Sequence, residues 1–161
     1  MFRVLRFILS QASWAIRFYR FSRWFYERGR LDCAETIWLF SRWITNIDIY
    51  PSAVIGKELR IYHPMGIVIG QKVRIGDRVT ILPGVTVGTS HILEHYSHEN
   101  QPVIGDDVVL GTGSKILGGI TIGNYAVIGA NAVVISDIPP HSTAVGVPAK
   151  VLLREGGVLV K

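Results

Sequence analysis

A chain of 161 residues is long enough for one domain with its own apolar core. With 48% hydrophobic and 18% charged residues it is too apolar for disorder, yet no apolar run reaches the roughly 18 residues of a membrane-spanning helix. The net charge of +5 is concentrated at the start, where residues 1–30 hold seven arginines (Arg3, Arg6, Arg17, Arg20, Arg23, Arg28 and Arg30) against one acid, Glu27, a balance suited to nucleic acid, anionic lipid or a phosphorylated ligand.

The opening Met-Phe-Arg lacks an apolar run with a small-residue cleavage site, so no signal peptide is expected. The single cysteine, Cys33, has no internal disulfide partner, which fits a reducing cytoplasm.

Residues 2–44 read as helices: Pro is absent and Gly29 is the only glycine. Phe7, Trp14, Phe18, Phe21 and Phe25 recur at spacings of seven, four, three and four, which is one helical face. Gly29-Arg30-Leu31-Asp32 reads as a helix end and a new start, with a second helix over 33–44. Residues 1–46 are therefore expected to form a helical N-terminal cap.

From Ile47 the helical period gives way to a period of six. An aliphatic residue followed by Gly occurs at Ile55, Ile69, Ile75, Val87, Ile104, Leu110, Ile122 and Ile128, while Ile81, Ile116 and Val134 fill the same slot without it. Such spacing predicts a solenoid in which three hexads make one triangular coil. The aliphatic residue points inward, and the following Gly suits a bend of unusual dihedrals. An ordinary β-sandwich does not produce this strict period. Two interruptions stand out. Ile55 to Ile69 is two residues longer than two hexads, with the excess within Arg60–Gly66. Val87 to Ile104 is five longer than two hexads, with the excess within Thr89–Pro102. Breaks in a regular solenoid are where function concentrates.

The segments IDIYP (47–51), HPMGIVIG (63–70), GVTVG (84–88), GTGSKILGGITIG (111–123), and IGANAVV through IPPHSTAVGVPAKV (128–151) resemble the hexapeptide-repeat acyltransferases. The likeness is to their serine acetyltransferase branch and its relatives that acetylate bacterial polysaccharide sugars. It covers about 47–152 and implies a mainly β fold, a left-handed parallel β-helix with a short α-helical N-terminal region, leaving 153–161 as a tail. It also implies acetyl-CoA as acetyl donor, a homotrimer with each active site between neighbouring prisms, and no metal. By position, His63 matches the family's catalytic base and Asp48 the carboxylate that orients it. Neutral imidazole, with an ordinary pKa near ~6.5, is suited to taking a proton from a hydroxyl, and a carboxylate on its other nitrogen fixes the tautomer. The bland alternatives are a surface histidine and a turn aspartate.

The insertion 89–102 carries His91, His95 and His98, but all three lie in one loop, unlike the separated zinc ligands of β-helix carbonic anhydrases, so a lid is expected there instead of a metal site. The serine enzymes end this loop with Arg-His-Pro where this chain has Asn100-Gln101-Pro102, which leaves His98 and Gln101 as acceptor contacts. They also place Asp directly before the base, where this chain has Tyr62. These departures and the short helical region point to a saccharide acceptor, with Tyr62 against the ring. L-serine is the alternative acceptor, weakly disfavoured by the terminal Val158-Leu159-Val160-Lys161, since the family's partner sulfhydrylase recognises a C-terminal Ile. A metal-binding or scaffold β-helix is a third reading. For coenzyme A the resemblance implies Thr112, Ala130, Ser136 and Lys150, with Gly111, Gly113 and Gly129 allowing close approach, although each small residue also suits a plain coil corner. The basic aromatic N-terminus caps the prism, or alternatively meets the inner face of the membrane; no nucleic-acid-reading motif is present.

Overall fold

The computed structural model describes residues 10–90 and 100–152, and the backbone of short strands at 154–155 and 158–159. Helix α1 (Gln11–Glu27) starts at Ser10, whose hydroxyl accepts from the Ser13 N–H at 3.3 Å and satisfies one donor that a helix start leaves unpaired. It stops before Gly29, at φ +71, a left-handed value that costs glycine nothing. Helix α2 (Leu31–Thr45) ends on Asn46, also left-handed at φ 55.

Short strands follow: β1 (Ile47–Ile49), β2 (Val54–Ile55), β3 (Arg60–Ile61), β4 (Ile67–Ile69), β5 (Arg74–Ile75), β6 (Thr80–Ile81), β7 (Thr86–Gly88), β8 (Val103–Ile104), β9 (Val109–Leu110), β10 (Lys115–Leu117), β11 (Thr121–Ile122), β12 (Val127–Ile128), β13 (Val133–Val134), β14 (Thr143–Val145), β15 (Lys150–Leu152), β16 (Arg154–Glu155) and β17 (Val158–Leu159). Up to β13 every third strand pairs, and β14 then joins β12, giving sheets β1-β4-β7-β10-β13, β2-β5-β8-β11 and β3-β6-β9-β12-β14-β15. Pairing is parallel until β15 folds back antiparallel on β14. This is a three-sided parallel β-helix, in which no coil could bury its apolar side alone.

The slot residues are its core: Ile69, Ile81, Val87, Leu110, Ile116, Ile122 and Val134 are fully buried. Most hexads also bury a smaller residue two positions earlier, as at Ala53, Val73, Val79, Val85, Val108, Ala126 and Ala132. The glycines after the slot differ from expectation. They are not the residues with positive φ; that conformation falls three positions after the slot, on Lys72, Arg78, Asp107, Tyr125 and Asn131. Glycine is required for stacking instead: a Cβ at Gly76 would lie 2.3 Å from Asp106 Oδ1 and 2.8 Å from the carbonyl carbon of Gly105. One corner carries a ladder of side-chain caps, with Asp77 Oδ1 accepting from the Lys57 N–H, Asp106 Oδ1 from Asp77, and Asn124 Oδ1 from Asp106 at 2.6, 2.8 and 2.9 Å.

Register also re-measures the interruptions. Regular coils advance 18 residues, as in Lys115 opposite Val133, whereas Ile47 lies opposite Ile67 and Thr86 opposite Lys115. The first break therefore adds two residues. The second contains one corner instead of two, so β7 to β8 carries eleven more than a hexad. A count of sixes cannot distinguish that from two hexads plus five.

The helical hairpin docks through small residues and donors. Ala12, Ala15, Tyr19 and Ser22 are buried. The Tyr19 hydroxyl donates to the Ala53 carbonyl at 2.8 Å, Arg20 to the carbonyls of Ile55 (2.8 Å) and Gly56, and Arg23 to those of Ala53 (2.5 Å) and Pro51 (3.3 Å). These acceptors belong to the first coil, where β2 is an edge strand whose unpaired groups would otherwise template aggregation. The aromatic stripe conspicuous in the sequence is not the docking face: Trp14 is 40% and Phe21 53% exposed.

Candidate active site

His63 occupies the corner between β3 and β4, lengthened by the two extra residues. Its φ is 47, a left-handed value this solenoid also adopts at Lys72 and Arg78, so the conformation marks a corner and not a strain peculiar to histidine. The imidazole is exposed and has no hydrogen-bond partner among the described residues; neighbouring Tyr62 is 53% exposed.

Asp48 is the outward residue of β1, between buried Ile47 and Ile49. Its two oxygens are held by α2: Trp38 Nε1 donates to Oδ1 at 2.8 Å, and Arg42 Nε lies 3.3 Å from Oδ2. Arg42 rests over the Trp38 ring at 4.9 Å, and that ring packs edge-on against Tyr50. The structure thus does not join Asp48 to His63 by a hydrogen bond; it pins the carboxylate from behind. A cavity of about 510 Å³ opens beside it, lined by Arg42, Trp43, Asn46, Asp48, Gly66 and Val68, so Asp48 and the end of the His63 corner share one opening.

Sequence reasoning missed Trp38 and Arg42. Their i,i+4 spacing on the helix that runs into Asp48 was the available signal. It also missed Lys115, which register aligns with Thr86, Val68 and Asp48 on the outer face of the same sheet. Its Nζ donates to Gly84 O (2.6 Å) and Thr86 Oγ1 (3.1 Å), stitching adjacent coils.

Thr112 and Ala130 are exposed at one corner of consecutive coils, where the Asn131 N–H donates to the Thr112 carbonyl at 2.8 Å. At Gly111, Gly113 and Gly129 the stacking of coils leaves no room for a side chain, and Gly113 also has a left-handed φ of +72. Their Cβ atoms would lie 2.5 Å from Ile128 O, 2.2 Å from Asn131 Oδ1 and 2.8 Å from Val145 Cγ1. Ser136 is exposed after β13, and Lys150 is exposed on β15 opposite Val145. Gln101 is only 9% exposed, packed into the start of the third coil's second side, while Asn100 beside it is exposed. His91, His95 and His98 lie outside the described residues. Among the described residues no group of three His, Cys, Asp or Glu is placed to hold a metal ion.

A bidentate ion pair, the shortest among the described residues, is at a corner away from this opening. Arg78 donates twice to Asp107, at 2.9 and 2.7 Å, which holds the Asp107 carboxyl below its usual range and raises the guanidinium further.

Residues 101–136 match the family model "Bacterial transferase hexapeptide (six repeats)". The chain is 42% identical over 153 residues to a serine acetyltransferase of Bacillus pumilus, covering 95% of this chain and 68% of that protein. This chain belongs to the serine acetyltransferase family. The serine acetyltransferase of Neisseria gonorrhoeae superposes with a TM-score of 0.86 at 37% identity, over 93% of this chain and 56% of its own. A serine acetyltransferase solved in complex with CoA superposes at 0.80 and 36% identity, over 86% and 55%. The fold is thus the left-handed parallel β-helix expected. The chain spans a little over half the length of these solved relatives. The names of the relatives back L-serine, the alternative acceptor, over the saccharide first expected.

Proposed function

We propose that this chain is an acetyl-CoA-dependent O-acetyltransferase that transfers the acetyl group directly to a hydroxyl, with His63 as general base. L-serine is the acceptor its relatives support. The observation that carries the reading is the placement of His63 on the irregular corner whose far end, Gly66, shares an opening with the pinned Asp48, in a chain 42% identical to a serine acetyltransferase.

In this reading the neutral imidazole accepts the hydroxyl proton as the oxygen attacks the thioester carbon. The tetrahedral intermediate collapses by expelling the coenzyme A thiolate, which takes the proton back from the imidazolium. The products are the acetyl ester and free thiol. Asp48, held by Trp38 and Arg42, supplies fixed negative charge that favours the imidazolium formed during attack. The exposed corner residues Thr112 and Ala130 offer backbone groups to the pantetheine arm, and Ser136 and Lys150 lie at the prism end suited to the phosphates. A homotrimer would set the exposed His63 and Tyr62 against a neighbouring prism.

A saccharide acceptor is the second reading, favoured by one observation: Tyr62, an exposed aromatic, stands directly beside His63, where its ring can stack on a sugar. Thiol release from acetyl-CoA, measured with L-serine and with a panel of sugars, decides between the two. Turnover with serine alone supports the first reading, turnover with a sugar alone the second, and release with neither defeats the proposed function.

A further inference from the structure

The outer face of the α1–α2 hairpin plays no part in the acetyl-transfer reading, and it is unusual for a surface. Trp14, Arg17, Phe21, Trp24 and Arg28 follow one another at steps of three and four, so at 3.6 residues per turn they share an arc of about 80°. This arc faces away from the prism, because Ala15, Tyr19 and Ser22 fill the buried side. The rings are continuous across both helices: Trp14 contacts Phe18, Phe18 meets Phe40 edge-on at 5.7 Å, and Phe40 contacts Trp43. A second cluster joins Phe21, Trp24 and Phe25, beside an apolar hollow reaching Cys33 and Ile37 of α2. Trp24 is 45%, Phe40 49% and Trp43 83% exposed.

Along the α1 stripe Trp14, Arg17, Phe21, Trp24 and Arg28 the charges have one sign. The Arg28 guanidinium lies 3.9 Å over the Trp24 ring and that of Arg17 5.4 Å over Trp14. Among the described residues no carboxylate is within ion-pair distance of either. Of the hairpin's acids, Glu27 pairs with Arg23 and Glu35 accepts from Tyr50, while Asp32 is the acid that borders this face, lining the hollow with Phe21 and Phe25.

We propose that this face docks the enzyme on an anionic lipid bilayer. Indole rings settle at the headgroup level; Arg28 donates once to the Trp24 carbonyl at 3.0 Å, and a guanidinium's five donors leave others for lipid phosphates. The negative potential of an anionic leaflet complements a stripe with no acid of its own. A second copy of the chain does not fit as well, because a two-fold contact would set the arginine stripe against itself. Among the described residues no helix is long and apolar enough to cross a membrane, so the contact is interfacial.

Co-sedimentation of the full chain with vesicles of phosphatidylcholine mixed with phosphatidylglycerol, against vesicles of phosphatidylcholine alone, tests the proposal. The expected result is binding to the mixed vesicles that weakens with salt. In Arg17→Ser/Arg28→Ser the partition coefficient should fall about thirtyfold, near fivefold for each arginine. Phe21→Ser/Trp24→Ser should lose binding too. Both variants remove exposed side chains, so unchanged thermal melting shows that the fold is kept. Arg74→Ser, on the prism, should bind as the wild type does. Absence of wild-type binding to the mixed vesicles overturns the proposal. So does equal binding by the double arginine variant, or a change in its oligomeric state without a change in vesicle binding, which would make the face a contact between copies. None of these outcomes depends on acetyl transfer.

Discussion

Replacing Gly76 by alanine should destabilise the prism far more than its single methyl group suggests. The new Cβ would lie 2.3 Å from Asp106 Oδ1 and 2.8 and 2.9 Å from the carbonyl carbon and oxygen of Gly105, well inside the roughly 3.5 Å at which non-bonded heavy atoms rest. Asp106 must swing away, which breaks its 2.8 Å hydrogen bond from the Asp77 N–H. A bond to a charged acceptor is worth about 1.5–3 kcal/mol. Separating the two coil backbones adds about 1–3 kcal/mol of overpacking strain, and the stiffer unfolded chain returns only about 0.4–1 kcal/mol. The net cost is about 1.5–5.5 kcal/mol, read from urea unfolding by circular dichroism. Asp106→Ala alone should cost only the hydrogen bond. In the double variant the worst clash is absent and the bond is already lost, so it should be less unstable than the sum of the singles. Strict additivity, or a Gly76→Ala variant as stable as the wild type, would refute the stacking account of these glycines.

Tyr19→Phe should cost about 1 kcal/mol by the same assay, because it removes the buried hydroxyl that donates to the Ala53 carbonyl at 2.8 Å; no change would mean the arginines satisfy that edge unaided. Arg78 hydrogen-bonded to Asp107 lowers the carboxyl's folded pKa below its unfolded value, so the pair's stabilisation is present above the unfolded pKa and lost as pH falls through the folded one. Asp107→Asn should therefore flatten the decline of stability with acid below about pH 4, the ordinary carboxylate range, and an unaltered acid slope would argue against the pair. Trp38→Phe removes one of the two donors on Asp48. It should lower kcat about tenfold with the KM for acetyl-CoA unchanged, the signature of a positioning role; an effect on KM alone would contradict it.

The sequence disclosed the solenoid because its core repeats: Ile69, Ile75 and Ile81 fall six apart since each sits at the same place in a turn. The smaller partners two positions earlier, such as Val73 and Val79, repeat too but blend with the outward Val and Thr of the strands. The purpose of the slot glycines was not legible, because the contact that excludes a Cβ at Gly76 comes from Asp106, thirty residues away, and only stacking reveals it. The size of the second insertion was hidden for a related reason, since corners cannot be counted without register. The helical hairpin misled in another way. Its aromatics dominate the pattern, yet Tyr19, Arg20 and Arg23 dock it, because the prism edge presents carbonyls that need donors and not an apolar surface. At the candidate site, the lengthened corner that carries His63 was legible from the break in the period, whereas the grip of Trp38 and Arg42 on Asp48 depends on how α2 meets β1.

The proposal that His63 is the base of an acetyl transfer is tested most directly by steady-state thiol release from acetyl-CoA, comparing the wild type with His63→Ala on whichever hydroxyl acceptor the wild type uses. A fall in kcat of about 10²–10⁴-fold, with binding of coenzyme A retained, is the predicted result. Turnover by the variant at the wild-type rate would contradict it.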